Sequence, residues 1–199
     1  MDSKLQQVYI PGQRYSLYRR LSEIAEVAAA NCSRIDKKRM NQNIPEILLW
    51  LFVINHGIAF GAGLYEQRII LPQWFIRSSE SGVRINSQSM RTTDTGRRFW
   101  AYVTTVPLTL LTFANLVVAW QSQGPRHVWW LGAVMVTLTE RIGTFSYFIP
   151  TAIKLMHAET LSPTKAASMA SDWMALNYVR ETLGLIGWLA ALKALSLPY

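Results

Sequence analysis

Cysteine and histidine are scarce in this chain, which has one cysteine, Cys32, and three histidines among 199 residues. A single cysteine forms no intrachain disulfide and provides no cysteine-based metal site. His127 and His157 are predicted at opposite ends of one helix, tens of ångströms apart, and His56 lies on another helix. The sequence therefore predicts no metal site and no bis-histidine haem within one monomer.

Acidic residues are also few, at 12 against 20 lysines and arginines, and the formal net charge is +8. In a soluble protein this excess would suggest nucleic acid as a partner. Here the basic residues flank apolar segments, so we expect them to face lipid headgroups, and we expect no nucleic-acid partner. Residues 1–43 contain no apolar stretch, so no cleavable signal peptide is expected, and the first apolar helix is predicted to direct insertion.

Four apolar segments, each about one bilayer long, dominate the rest of the chain: residues 44–65, 100–120, 128–149 and 176–197. A spanning helix needs about 20 mainly apolar residues, and unpaired backbone groups are not tolerated in lipid. The sequence predicts an all-α, integral membrane four-helix bundle over residues 44–199. Eight lysines and arginines precede the first segment. They favour a multi-pass protein with both termini on the cytoplasmic side.

The regions outside the apolar segments leave alternatives open. Residues 1–43 are predicted to form a basic N-terminal arm with an amphipathic helix over residues 16–33. That helix could lie in the membrane interface, pack on a partner or be an ordinary solvated helix. Residues 66–99 are predicted to form a long loop. The loop could act as a lid, as a partner surface or as a plain solvated excursion.

Glu140 and Arg141 lie at the centre of the third segment. A charge at that depth costs at least ~2.5–3.5 kcal/mol, which makes it a candidate functional site. The alternative is a buried ion pair that only holds the helices in register. Because the two residues are adjacent, we expect each to find a partner on another helix, for example Arg141 with Glu181. A second such pair would be Glu66 with Arg180.

His56 lies near the centre of the first segment. It is either a hydrogen-bonded packing residue or a general base, since imidazole suits proton abstraction near neutral pH. Alternating topology places Glu66, Tyr147, Asn177 and Arg180 on the same side of the membrane. Together with His56 and Arg141, they are predicted to give the bundle one polar half and one apolar half.

Three stretches of the chain resemble one known family. Residues 55–74, NHGIAFGAGLYEQRIILPQW, resemble the glycine-rich first helix of the anthrone oxygenase-like membrane family. The FIP motif ending at Pro150 is similar to the end of that family's third helix. The pattern from Asp172 to Arg180 is similar to its C-terminal motif. The matching positions are Glu66, Pro72, Trp74, Pro150, Trp173, Asn177 and Arg180. The 43-residue basic tail departs from the family's usual short N-terminus.

The resemblance implies a four-helix membrane bundle whose fungal members oxidise anthrones with molecular oxygen and no known metal or flavin. The leading hypothesis is therefore a membrane oxygenase-like protein, without a cofactor, that binds a flat aromatic or quinone-like molecule. His56 or Glu66 would be the base. The substrate-binding residues would be Trp74, Arg141, Tyr147, Asn177 and Arg180, of which the two arginines would stabilise an oxyanion.

Two other functions remain open from the sequence. One is a non-catalytic accessory subunit of a larger membrane complex, which would dock through the N-terminal arm and the loop at residues 66–99. The other is a small-solute carrier, which four spans without an internal repeat favour least.

Overall fold

The computed structural model describes Glu26, residues 43–78 and residues 82–198. The chain divides into two units, Met1–Ile44 and Pro45–Tyr199. In the first unit Glu26 is helical and exposed. The predicted N-terminal arm and amphipathic helix otherwise lie outside the described residues.

The described part of the chain is mostly helical, which confirms the predicted class. Helix α1 covers Asn43–Trp74. A hairpin follows, in which strand β1 (Phe75–Ser78) pairs antiparallel with strand β2 (Gly82–Ile85), Phe75 opposite Ile85. The remaining helices are α2 (Ser87–Thr93), α3 (Gly96–Gln121), α4 (residues 125–156) and α5 (Pro163–Leu195), with a 3₁₀ turn at Ala158–Thr160 between the last two.

The predicted loop at residues 66–99 is wrong, because most of this segment has regular structure. Helix α1 continues through Glu66–Ile70 and Leu71–Trp74, and the hairpin and α2 occupy much of the remainder. Helices α4 and α5 also extend beyond the predicted segments, to residue 156 and from Pro163. The prediction followed hydropathy, whereas polar residues such as Arg68 and Asp172 continue a helix without interrupting its backbone hydrogen bonds.

Among the residues that the structure describes, two helices, α1 and α3, are long and apolar enough to cross a membrane. In each of them, 28% of the most apolar stretch is buried against the rest of the protein. Helices α4 and α5 are longer than a bilayer requires but do not reach the same apolar character. By length and apolar character, two of the four predicted membrane spans are therefore found, those in α1 and α3.

The long helices share two apolar cores. The first core contains Leu49 and Phe52 of α1, Leu108 of α3, Trp130 of α4 and Ala191 of α5. The second core is formed by α1, the hairpin, α2, α4 and α5. Its buried members are Leu71, Trp74, Phe75, Met90, Phe148, Leu155, Ala170 and Trp173. Along α1, α4 and α5, a polar stretch lies between the residues of the two cores.

The end of the protein that was predicted to be apolar contains a few buried polar groups. Asn115 donates to the carbonyls of Leu48 and Leu111 and accepts from Trp130 Nε1, which joins α1, α3 and α4. Arg126 donates through Nε to the carbonyl of Ala194 at 2.8 Å, near the C-terminus of α5. Helix ends leave carbonyls without intrahelical partners, so this arginine supplies one of the missing donors.

Three helices contain a π-helical stretch: Glu66–Ile70 in α1, Gly96–Thr105 in α3 and Thr144–Phe148 in α4. In each case a proline follows two residues after the stretch ends, at positions 72, 107 and 150. Proline lacks an N–H and its ring clashes with the carbonyl four residues earlier, which here lies inside the π stretch. The wider turn moves that carbonyl aside. In α3 the carbonyl of Val103 accepts from Asn55 Nδ2 at 3.0 Å.

Candidate functional site

A cavity of about 130 Å³ lies among α1, α3, α4 and α5, at the level between the two cores. All three π-helical stretches contribute to its wall, through Glu66, Trp100 and Thr144. Short π segments inside α-helices are rare and occur frequently at functional sites. The ionisable residues that line the cavity are His56, Glu66, Glu140, Arg141, Arg180 and Glu181.

His56 is held in one orientation by α4. Its Nε2 lies 2.9 Å from Thr137 Oγ1, and that hydroxyl donates its only proton to the carbonyl of Ala133 at 2.7 Å. With the hydroxyl donating to Ala133, it accepts from His56, which assigns the proton to Nε2 and leaves Nδ1 as the unprotonated ring nitrogen. Among the described residues, Nδ1 has no hydrogen-bond partner. A neutral imidazole with a free Nδ1 at a cavity has the form that a general base needs.

Gly187 of α5 makes room for this arrangement. A Cβ atom at this position would lie 3.1 Å from Thr137 Oγ1 and 3.5 Å from His56 Cε1. The approach to Thr137 is tighter than an ordinary contact, so a larger residue would press on that hydroxyl, whereas the distance to His56 is an ordinary van der Waals contact.

Glu66 is buried at the start of the π stretch of α1. Its Oε1 accepts from Thr95 Oγ1 at 2.8 Å and from Trp100 Nε1 at 2.9 Å. Two neutral donors thus fix one carboxylate oxygen against the start of α3. No described basic side chain forms a salt bridge with Glu66, so the direct polar contacts of its carboxylate are these two hydrogen bonds.

Glu140 and Arg141 form a two-bond fork with each other. Arg141 donates through Nε to Glu140 Oε2 and through Nη2 to Glu140 Oε1, both at 2.7 Å. Thr144 Oγ1 also donates to Glu140 Oε1, at 3.1 Å. The expectation that adjacent residues would need partners on other helices is wrong here. The long arginine side chain folds back along the helix, and parallel N–H groups match the carboxylate.

Arg180 and Glu181 form a second adjacent pair, although a looser one. Arg180 Nη2 lies 3.5 Å from Glu181 Oε1, which is an ion pair without a short hydrogen bond. The guanidinium carbon of Arg180 lies 4.9 Å from the centre of the Phe148 ring and 5.9 Å from that of Trp100. The predicted pairs of Glu66 with Arg180 and of Arg141 with Glu181 are not found among the salt bridges of the described residues.

Gly63 of α1 allows Glu181 to approach. A Cβ atom at Gly63 would collide with the Glu181 carboxylate, so this part of α1 lies directly against that side chain. Because Gly63 has no side chain, α1 and α5 come close at this point, as helices do where small residues lie between them.

Five of the sequence-predicted site residues line the cavity, namely His56, Glu66, Trp74, Arg141 and Arg180. Two others do not. Tyr147 is half-buried and packs against the second core. Asn177 is 1% exposed, and neither atom of its amide has a hydrogen-bond partner among the described residues. Both residues lie on the same helices as the cavity residues, but their side chains belong to the packing around it.

Sequence reasoning missed several residues that shape the cavity. Thr95 and Trp100 fix Glu66, Phe148 stacks under Arg180, and Thr137 sets the tautomer of His56. The spacing of prolines could have indicated the region, since Pro72, Pro107 and Pro150 each follow a distorted stretch that reaches the cavity.

The cavity has three carboxylates and two guanidiniums among its lining residues. Within residues 43–78 and 82–198, no group of three or more histidine, cysteine, aspartate or glutamate side chains is arranged to hold a metal ion. Of the two guanidiniums, that of Arg180 is the more loosely paired, at 3.5 Å from Glu181 against 2.7 Å between Arg141 and Glu140.

Comparisons with protein-family models, with curated proteins and with solved structures found no match.

Proposed function

We propose that this chain is a multi-pass membrane protein, a four-helix bundle of α1, α3, α4 and α5, whose cavity binds a flat, oxygen-bearing aromatic molecule. Large apolar side chains point outwards along α1 and α3, among them Trp50, Ile54, Leu110, Phe113 and Val117. An apolar surface of that extent on a water-soluble monomer would be unusual, whereas lipid would cover it at no cost. Glu140 and Arg141 are buried in the protein, as charged groups in a membrane require.

The observation that carries the binding proposal is the position of Arg180 between Trp100 and Phe148. Aromatic rings beside a loosely paired guanidinium offer stacking for a flat molecule and a partner for its anionic oxygen. The cavity volume of about 130 Å³ is close to the ~150 Å³ of an engineered cavity that binds benzene. One aromatic ring therefore fits inside, and further rings or substituents of a larger substrate would extend beyond it.

The proposed reaction is oxidation of a reduced, quinone-like ring by molecular oxygen. His56 Nδ1 would accept the proton of a phenolic hydroxyl, and Arg180 would stabilise the phenolate oxygen that results. The phenolate and its remaining O–H give up two electrons and, in total, two protons. Oxygen receives them and leaves as hydrogen peroxide, and the ring leaves as the quinone. For an anthrone, the same base would remove a proton from the ring CH₂, and oxygen would yield a carbonyl and water.

Oxygen consumption by the purified protein in detergent, with a hydroquinone or an anthrone, tests this proposal. We expect His56→Ala to lower the rate by roughly 10²–10⁴-fold, because a general base contributes that much. Arg180→Ala should cost about 10²–10³-fold, as removal of an oxyanion donor does. Exposed residues of the same types, His157→Ala and Arg97→Ala, are the matched controls and should leave the rate unchanged. If no reduced aromatic supports oxygen uptake, or if activity survives both cavity substitutions, the oxygenase proposal is refuted.

A role as accessory subunit of a larger membrane complex is the second candidate, and the hairpin favours it. Ile76 on β1 is exposed, and a groove of about 1000 Å³ lies between β2 and the start of α5. Within the described residues, β1 and β2 pair only with each other, so their outer edges are available to a further strand. Co-purification of a stable partner that is lost with Ile76→Asp would support this role.

A further inference from the structure

A second space adjoins the cavity on the outer surface of the protein, in the groove between α3 and α4. It has a volume of about 410 Å³, and its walls are Thr109, Thr112 and Phe113 on α3 and Leu138, Arg141, Ile142, Phe145 and Ser146 on α4. Phe113, Ile142 and Phe145 are exposed. The surface that these walls expose to the groove is almost entirely apolar, so a hydrocarbon chain would suit this groove.

Arg141 lines both the groove and the cavity. On α3, Thr105 lines the cavity and Thr109, one turn further along the same face, lines the groove. The groove and the cavity therefore share the Arg141 side chain in their walls, and both are lined by residues of α3 and α4. The Glu140 fork fixes the position of that side chain.

The volumes are compatible with one ligand that uses both spaces. Pockets for small molecules and cofactors usually measure about 300–1,000 Å³, and the cavity alone is well below this range. Cavity and groove together fall inside it. A molecule with a polar ring and an apolar chain would place the ring beside Arg180 and the chain between Phe113 and Phe145.

We infer that the substrate class of the proposed site is an amphiphile, a quinone-like ring with a hydrocarbon tail, which lies with its tail in the α3–α4 groove and reaches the cavity past Arg141. This inference rests on the proposed function, since it assumes that the cavity binds such a ring. It differs from that proposal because it assigns the groove to the same ligand. A groove covered only by bulk lipid chains is the alternative.

Binding of two probes to the full chain in phosphatidylcholine nanodiscs separates these possibilities. The probes are 1,4-benzoquinol and 2-decyl-1,4-benzoquinol, and their Kd values are measured by quenching of tryptophan fluorescence, because Trp74, Trp100 and Trp173 line the cavity. Ser146→Phe adds a ring inside the groove. Thr139→Phe adds a ring on an exposed part of the same helix, outside the groove. The two positions are matched because the native hydroxyls of Ser146 and Thr139 both donate to the carbonyl four residues earlier. Partitioning into lipid cancels when each variant is compared with the native protein.

We expect Ser146→Phe to raise the Kd of the decyl probe by about tenfold or more, or ~1.4 kcal/mol, and to change that of the tailless probe by less than about twofold. Thr139→Phe should change neither value. Thr109→Phe, on the opposite wall, gives a second obstruction should Ser146→Phe not fold. If the groove substitutions leave the decyl probe unaffected, or weaken both probes equally, the inference is wrong while the cavity proposal stands. If neither probe binds the native protein, the cavity proposal fails and the inference fails with it.

Discussion

Replacing Glu140 by glutamine should be among the most destabilising single changes in this chain. The substitution keeps the shape of the side chain but removes its charge and replaces one acceptor oxygen by an amide NH₂ group, so the Arg141 guanidinium keeps at most one of its two short hydrogen bonds and loses its counter-charge. The side chain of Arg141 is 11% exposed, so little water replaces the lost oxygen. Guanidinium does not release its proton in proteins, and breaking a buried ion pair in this way costs about 3–5 kcal/mol.

Removing the other partner of the ion pair, with Arg141→Met, should cost less stability. The Glu140 carboxyl keeps its hydrogen bond from Thr144, and a buried carboxyl group can become neutral by binding a proton. The double substitution Glu140→Leu with Arg141→Met removes both charges and should be close to neutral or stabilising, because desolvation of the pair offsets most of its attraction. A double-mutant cycle therefore gives a large coupling energy.

Equilibrium unfolding in mixed micelles of mild detergent and SDS, followed by circular dichroism, measures these free energies. The Thr139→Ala substitution, at an exposed site on α4, controls for general effects of mutation on that helix. If Glu140→Gln costs no more than Arg141→Met, or if the double variant is less stable than either single one, the argument from a buried and uncompensated guanidinium is refuted.

Three further predictions concern other parts of the protein. Gly187→Ala should lower the free energy of unfolding by about 1–3 kcal/mol, because the added methyl group overpacks against Thr137. At Gly61 a Cβ atom would meet nothing within 4 Å, so Gly61→Ala should be neutral or stabilising by up to ~1 kcal/mol. The same unfolding titration measures both variants. Asn177→Leu should raise the melting temperature, because a buried amide without hydrogen bonds costs about 1–3 kcal/mol and leucine removes that cost; a lower melting temperature would show that the amide has a partner. The pKa of Glu159 is lowered by its own backbone N–H and by Arg91, so its contribution to stability is present above its ordinary pKa of 4.5 and is lost as pH falls through the lowered value. The protection factors of the α2 amides, which are corrected for the intrinsic pH dependence of exchange, should therefore fall below pH 4.5 in the native protein, and Arg91→Gln should largely abolish that fall.

The helical class was readable from the sequence, but the ends of the helices were not. The apolar segment at residues 44–65 marked α1 correctly, yet the helix continues to Trp74 through a polar stretch that hydropathy does not distinguish from a loop. Likewise α5 begins at Pro163, thirteen residues before its apolar part. A helix ends where backbone hydrogen bonding stops, and proline, capping and tertiary contacts determine that point more than side-chain polarity does.

The sequence by itself pointed to five residues that line the cavity, namely His56, Glu66, Trp74, Arg141 and Arg180. Charged residues inside apolar helices are costly, so Glu140 and Arg141 had to lie inside the protein, and the depth of His56 along its helix followed from the rise per residue. Only the tertiary structure decided which side chains pair with each other. Arg141 folds back onto Glu140, Arg180 stacks on Phe148, and Asn177 is buried outside the cavity lining, because side-chain rotamers and the close approach of α1 to α5 at Gly63 are properties of helix packing. Periodicity along one helix determines which face a residue occupies, whereas the partner across that face depends on how the helices meet.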